Sequence, residues 1–173
     1  SKNIAKILDK YCDIVLVGDS MANVLYGLNN THSISIENII QHTISVKKGV
    51  KNSLLVVDMP KGTYSNSILA KKNAKNIMRL TKCDAVKIES NGRNFNIIKE
   101  LVKIKIPVMG HIGFTPQFKN NFKIEGDSKK KAIKLLKEAK NVEKSGAFSI
   151  VLECISPLSS KLITKNLNIP TIG

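Results

Sequence analysis

Short apolar runs alternate with helix-length amphipathic segments along the whole chain. Four of the runs close on an acid: Ile14-Val15-Leu16-Val17-Gly18-Asp19, Leu54-Leu55-Val56-Val57-Asp58, Ala85-Val86-Lys87-Ile88-Glu89 and Ser149-Ile150-Val151-Leu152-Glu153. Each is rich in β-branched residues and is followed by polar or Pro-containing sequence, the pattern of a strand buried on both faces. The spacing predicts helix 2–11, strand 13–19, a loop from Met21 to Ser35, helix 36–48, strand 53–58, helix 66–80 and strand 84–89. Beyond these it predicts helix 94–104, strand 106–110, a polar loop 112–128, helix 129–145, strand 148–153, a short helix 157–166 and a last strand 169–172. Gly49 and Gly146 stand where helix C-caps are expected.

Strands separated by helices imply a parallel sheet with right-handed crossovers. An open doubly wound sheet would place a Gly-rich phosphate turn after its first strand. Gly18-Asp19-Ser20 is not that pattern. A (β/α)8 TIM-type barrel instead gathers chemical groups from several strand ends. The expectation is therefore a single partial barrel domain over residues 1–173, with about six of eight strands present. Such a barrel needs one strand before Ser1 and one after Gly173, so the chain is expected to be a piece of a longer protein or a reduced product.

The chain has 173 residues and is 42% hydrophobic, enough for a sizeable core. Its apolar runs are strand-length, so no membrane span is expected. The net charge of +15 invites a nucleic-acid reading, but of 28 basic residues only Arg79 and Arg93 are Arg. Base readers lean on Arg for bidentate contacts. The basic surface is accordingly read as solvated, with a residual attraction for anionic substrates. Cys12, Cys83 and Cys154 lie far apart with no CxxC pair, which argues against zinc and disulfide frameworks and suits a reducing cytoplasm.

Taken singly, a strand-end acid reads equally as a helix cap or a solvated group. Four of them suggest one shared acidic site, and clustered carboxylates repel one another unless a cation or a proton sits among them. Asp19 and Asp58 suit a hard divalent cation such as Mg²⁺, with Glu89 joining directly or through water. Lys87 precedes Glu89 by two residues and shares its strand face. A Lys in an apolar strand needs an anionic partner. That partner is a substrate carboxylate or an ordinary buried ion pair. Glu153 reads as a general base whose pKa is raised by burial, or as a structural acid. His111 lies in Gly110-His111-Ile112-Gly113, where glycines allow close backbone approach. A lone His of this kind is structural or catalytic; His32 and His42 read as peripheral.

Six segments together resemble the ketopantoate hydroxymethyltransferase family. They are Val17-Gly18-Asp19-Ser20, Gln41-His42-Thr43 with Val46-Lys47-Lys48-Gly49, Val57-Asp58-Met59-Pro60, Val86-Lys87-Ile88-Glu89, Gly110-His111-Ile112-Gly113-Phe114-Thr115-Pro116-Gln117 and Leu152-Glu153-Cys154. They follow the family's order across essentially the whole chain. The resemblance implies a Mg²⁺-binding (β/α)8 barrel. Its reaction would transfer a hydroxymethyl group from 5,10-methylenetetrahydrofolate to 3-methyl-2-oxobutanoate, giving 2-dehydropantoate for pantothenate biosynthesis. It further implies that Asp19, Asp58 and Glu89 are metal-associated. Asp19, Ser20, Asp58 and Lys87 would hold the keto acid, His111 would line the pocket and Glu153 would accept the proton. A decameric homo-oligomer is the family's usual assembly. Lys61 replaces an aromatic or apolar family residue, and loop 118–128 is shorter and more polar than the family's. Three other readings stay open: a non-catalytic remnant of the barrel, a related Mg²⁺-dependent keto-acid lyase barrel, and a nucleic-acid module.

Overall fold

The computed structural model describes residues 1–173. The elements in chain order are α1 (Lys2–Leu8), β1 (Ile14–Val17), α2 (Met21–Val24), α3 (Ile36–Lys47), β2 (Leu54–Asp58), α4 (Ser67–Thr81) and β3 (Ala85–Glu89). They continue with α5 (Phe95–Lys103), β4 (Val108–Gly113), α6 (Lys129–Lys144), β5 (Ser149–Glu153), α7 (Pro157–Asn166) and β6 (Thr171–Ile172). The residues group into two compact units, Ser1–Lys87 and Ile88–Gly173.

In the first unit β1 and β2 run parallel from Ile14 opposite Leu54 to Val17 opposite Val57, and β2 runs parallel to β3 with Asp58 opposite Lys87. Leu55, Val56 and Val57 are fully buried, as continuous apolar parallel strands require. Helix α3 buries Ile39, Ile40, Thr43 and Val46, and α4 buries Ala70, Ala74, Ile77 and Thr81. Each set recurs at about one helical turn and so forms one face. A capping box starts α3: the Ser35 hydroxyl accepts from the Asn38 N–H, and the Asn38 side chain accepts from the Ser35 N–H. The α4 start is capped by Asn66, whose side chain accepts from the Leu69 N–H at 2.9 Å. Gly49 follows the Lys48 C-cap of α3 and serves a further purpose, because a β-carbon there would lie 2.2 Å from the Lys2 carbonyl oxygen. Helix α1 therefore rides directly on the backbone at Gly49. Its end is tied by Asp9, whose carboxylate accepts from the N–H groups of Asn52 and Ser53, both at 2.9 Å.

In the second unit the Ser90 N–H donates to the His111 carbonyl at 2.8 Å, so the end of β3 runs beside β4. Strands β4 and β5 pair in parallel from Met109 opposite Ser149 to Gly113 opposite Glu153, and β5 pairs with β6. Helix α6 buries Leu135, Ala139 and Val142 and exposes Lys130, Lys134 and Lys137. It comes close to β4 at Gly110, where a β-carbon would lie 2.3 Å from Val142 Cγ1. Gly146 has φ 94° just past the α6 C-cap, the left-handed conformation expected of it.

Several boundaries differ from expectation. β1 stops at Val17, so Asp19 lies in the turn that feeds α2, and the predicted loop from Met21 holds α2 and a 3₁₀ turn over Thr31–Ser33. The strand predicted at 106–110 lies at Val108–Gly113. Lys105 turns the chain with φ 64°, and the Ile106 N–H is spent on the Leu101 carbonyl at the end of α5. His111 consequently sits inside the strand rather than after it. No helix is long and apolar enough to cross a membrane.

Candidate active site

Register builds the first cluster. Pairing sets Asp58 directly opposite Lys87, and the Lys87 Nζ lies 2.7 Å from Asp58 Oδ1, with both side chains buried. Asp58 Oδ2 accepts the Asp19 N–H at 3.0 Å. Lys87 is thus ion-paired within the first unit. Asp19 is itself buried, and its backbone N–H rests on the Asp58 carboxylate. Gly18 keeps the space beside them clear: a β-carbon at this position would meet Ser20 Oγ at 3.1 Å and Asp58 Oδ2 at 3.4 Å. Ser20 opens α2 without spending its hydroxyl on the cap.

No group of three or more His, Cys, Asp or Glu side chains is drawn together as a closed metal cage. Mg²⁺ does not need one, since it binds through one or two carboxylates and takes its other oxygens from water and substrate. Asp19 and Asp58, two oxygen-bearing acids linked through that backbone contact, have the donor chemistry such an ion takes.

The second unit carries the other expected groups. His111 is fully buried in β4, with Nε2 at 3.1 Å from Glu153 Oε2 and Nδ1 at 3.6 Å from Glu89 Oε1. The first is a close charge contact whose geometry is not that of a hydrogen bond, and the second is too long for one. Glu89 Oε2 accepts from the Gln117 N–H at 3.0 Å, and the Glu89 carbonyl accepts from Asn94 Nδ2 at 2.9 Å. An imidazole flanked by two carboxylates can hold or pass a proton. Glu153 departs from the expectation of a buried acid, because its side chain keeps 39% of its exposure. Its backbone is nonetheless firmly placed. The Phe114 N–H donates to the Glu153 carbonyl at 2.8 Å. Gly113, with φ 96°, leaves room for that carbonyl, which a β-carbon would meet at 2.2 Å. Burial, and then the neighbouring Glu153 charge, push the Cys154 thiol above its ordinary value, so this cysteine is a poor nucleophile.

The two remaining histidines lie elsewhere in the first unit. His32 faces the Lys61 Nζ at 3.2 Å. The His42 imidazole is pushed down by burial. Sequence reasoning had passed over Asn94 and Gln117, which hold Glu89. Gln117 acts here through a backbone N–H, a role any residue but Pro could fill. The one available signal was its place in the Gly110–Gln117 motif.

A family model described as ketopantoate hydroxymethyltransferase matches residues 1–173. A 3-methyl-2-oxobutanoate hydroxymethyltransferase of Pelagibacter ubique is 50% identical over 173 residues, which are 100% of this chain and 67% of that protein. One of Clostridioides difficile is 45% identical over 177 residues, covering 99% of this chain and 64% of that protein. The chain thus spans about two thirds of the length of these curated relatives. Among solved structures, phosphonopyruvate hydrolase in complex with oxalate and Mg²⁺ matches with a TM-score of 0.72 at 10% identity, over 99% of this chain and 63% of that one. 2,3-Dimethylmalate lyase, a PEP mutase/isocitrate lyase superfamily member, matches with a TM-score of 0.68 at 15% identity, over 96% and 61%. Identities this low speak to fold alone. The fold is that of a partial (β/α)8 TIM-type barrel with six parallel strands, as the alternation of runs had implied.

Proposed function

Since this chain belongs to the ketopantoate hydroxymethyltransferase family, we infer that its residues serve the transfer of a hydroxymethyl group from 5,10-methylenetetrahydrofolate to 3-methyl-2-oxobutanoate. The product is 2-dehydropantoate, made in the cytoplasm for pantothenate synthesis by a homo-oligomer. The observation that carries this reading is the buried cluster in which Asp58 accepts from both Lys87 and the Asp19 backbone. It brings an ammonium, a carboxylate and the Asp19 backbone to where a small, anionic, oxygen-rich substrate would lie.

Asp19 and Asp58 would hold Mg²⁺, with Glu89 as the third acid that the family resemblance assigns. When bound, the ion would supply Lewis acidity toward the keto and carboxylate oxygens of the substrate. Lys87 balances the carboxylate charge that the substrate adds beside Asp58. Ser20, with its hydroxyl next to the space over Gly18, donates to a substrate oxygen. Glu153, half-exposed and in close contact with His111, takes the proton from the substrate carbon beside the ketone. His111 lies against that carboxylate and fixes its orientation. The carbon so deprotonated forms its new bond to the methylene carbon of the folate donor; both C–N bonds of that carbon break, water supplies the hydroxyl oxygen, and one proton from water and one from Glu153 pass to the nitrogens of the departing tetrahydrofolate. Two reactants held side by side gain from the lost need to find one another.

The test is exchange of the C3 hydrogen of 3-methyl-2-oxobutanoate in deuterated water, with and without Mg²⁺. Glu153→Gln is expected to bind the keto acid normally but to exchange roughly 10²–10⁴-fold more slowly, the usual worth of a general base. Asp58→Ala is expected to lose the Mg²⁺-dependent part of the rate. Undiminished exchange in Glu153→Gln removes that residue from the base role.

A further inference from the structure

We propose that Lys119, acting through Glu125, is a positioning residue for Glu153. The inference rests on the base role given to Glu153 above.

Loop 114–128 contains no helix or strand, and connections of this length and polarity are ordinarily the mobile parts of a fold. This one is closed on itself. The Lys119 Nζ donates to the Gly113 carbonyl at 2.7 Å and to Glu125 Oε1 at 2.6 Å. Gly113 is the last residue of β4 and lies opposite Glu153. Glu125 is tied to the chain just after Glu153. Its N–H donates to the Cys154 carbonyl at 2.7 Å, and its carbonyl accepts from the Ser156 N–H at 2.9 Å. The Phe114 N–H holds the Glu153 carbonyl. Gly113, Lys119, Glu125, Cys154, Glu153 and Phe114 thus form an unbroken ring of contacts with the proposed base on its circumference.

The ring has something to restrain. Cys154 has φ 52°, a left-handed conformation that costs a residue with a β-carbon free energy and persists only when its surroundings impose it. The strained residue is the one immediately after the base, so any relaxation there swings Glu153 first. Lys119 is the only side chain in the ring that bridges the β4 end to Glu125. On the sequence it is one Lys among many on a basic surface. In the fold it spends its charge on a carbonyl and a carboxylate.

The experiment compares the wild-type chain with Lys119→Met, Lys119→Arg, Glu125→Gln and the Lys119→Met/Glu125→Gln pair. Readouts are C3 exchange, keto-acid affinity, the unfolding midpoint and amide hydrogen exchange at Cys154 and Ser156. Lys119→Met is expected to slow C3 exchange about tenfold, the worth of one charge-assisted hydrogen bond. Its keto-acid affinity should stay within about twofold and its unfolding midpoint should barely move, since the pair is partly exposed. Lys119→Arg should recover most of the rate. The double variant should be no slower than Lys119→Met, because both changes cut the same ring. A wild-type rate in Lys119→Met, or a double variant slowed by the product of the two single effects, overturns the proposal. If the wild-type chain exchanges no C3 hydrogen, the base role of Glu153 fails separately. The ring is then judged by amide exchange alone: faster exchange at Cys154 and Ser156 in Lys119→Met supports it, and unchanged protection overturns it.

Discussion

Asp58 answers to two donors, a strand neighbour's ammonium and a backbone N–H, and it is buried with both. Removing one member of such a pair leaves an uncompensated charge in the interior. Lys87→Ala is therefore expected to lower folding stability by about 3–5 kcal/mol, read from urea denaturation with Mg²⁺ absent. A loss within the range of a surface substitution would mean that water reaches Asp58 freely. At this scale the sequence is informative about residue type and silent about partner. It placed acids at strand ends and a Lys inside an apolar run, which already demands an anion. It left open whether that anion belongs to the protein, because the choice depends on a register between segments 29 residues apart. Glu153 shows the same limit: its place in β5 was readable, but the exposure of its side chain was not.

Among the elements, α1 owes its seat to Asp9. The Ser53 N–H above all, with those of Asn52 and Lys51, holds the Asp9 carboxyl down at about 2 from an ordinary 3.8, against the opposing effect of burial. A folded value below the unfolded one means that this tie stabilises the fold fully above pH 3.8 and loses its contribution as the pH falls toward about 2. Asp9→Asn should therefore be less stable than wild type near neutrality, with the difference closing in that acid window when unfolding free energies are measured across pH. A constant difference from neutrality down to pH 2 would count against the tie. Element identity was legible where apolar runs are continuous, as in β2 and β3, and where periodic faces are clean, as in α4 and α6. Ends were less so. The shift of β4 follows from a left-handed Lys105 and an amide spent on α5, neither of which carries a residue-type signature. The brief helix at Met21–Val24 is too short to show a period.

At the scale of the molecule, family and fold were readable because they rest on several separated motifs and on a repeated strand-helix rhythm. The charge of +15 was equally legible and changes little, since the α6 lysines occupy the face opposite its buried stripe. The units are knit from inside by omitted side chains as much as by those present, and Gly110 shows what this entails. A methyl group at that position has no room beside Val142, so Gly110→Ala should unfold more readily than wild type, and trimming the opposing residue with Val142→Ala should restore part of what was lost, as differential scanning calorimetry of the four-member cycle would record. The two sites then answer to a single shared volume. A change at either alters which changes the other tolerates, so a lineage that enlarges residue 110 is bound to shrink residue 142 along with it.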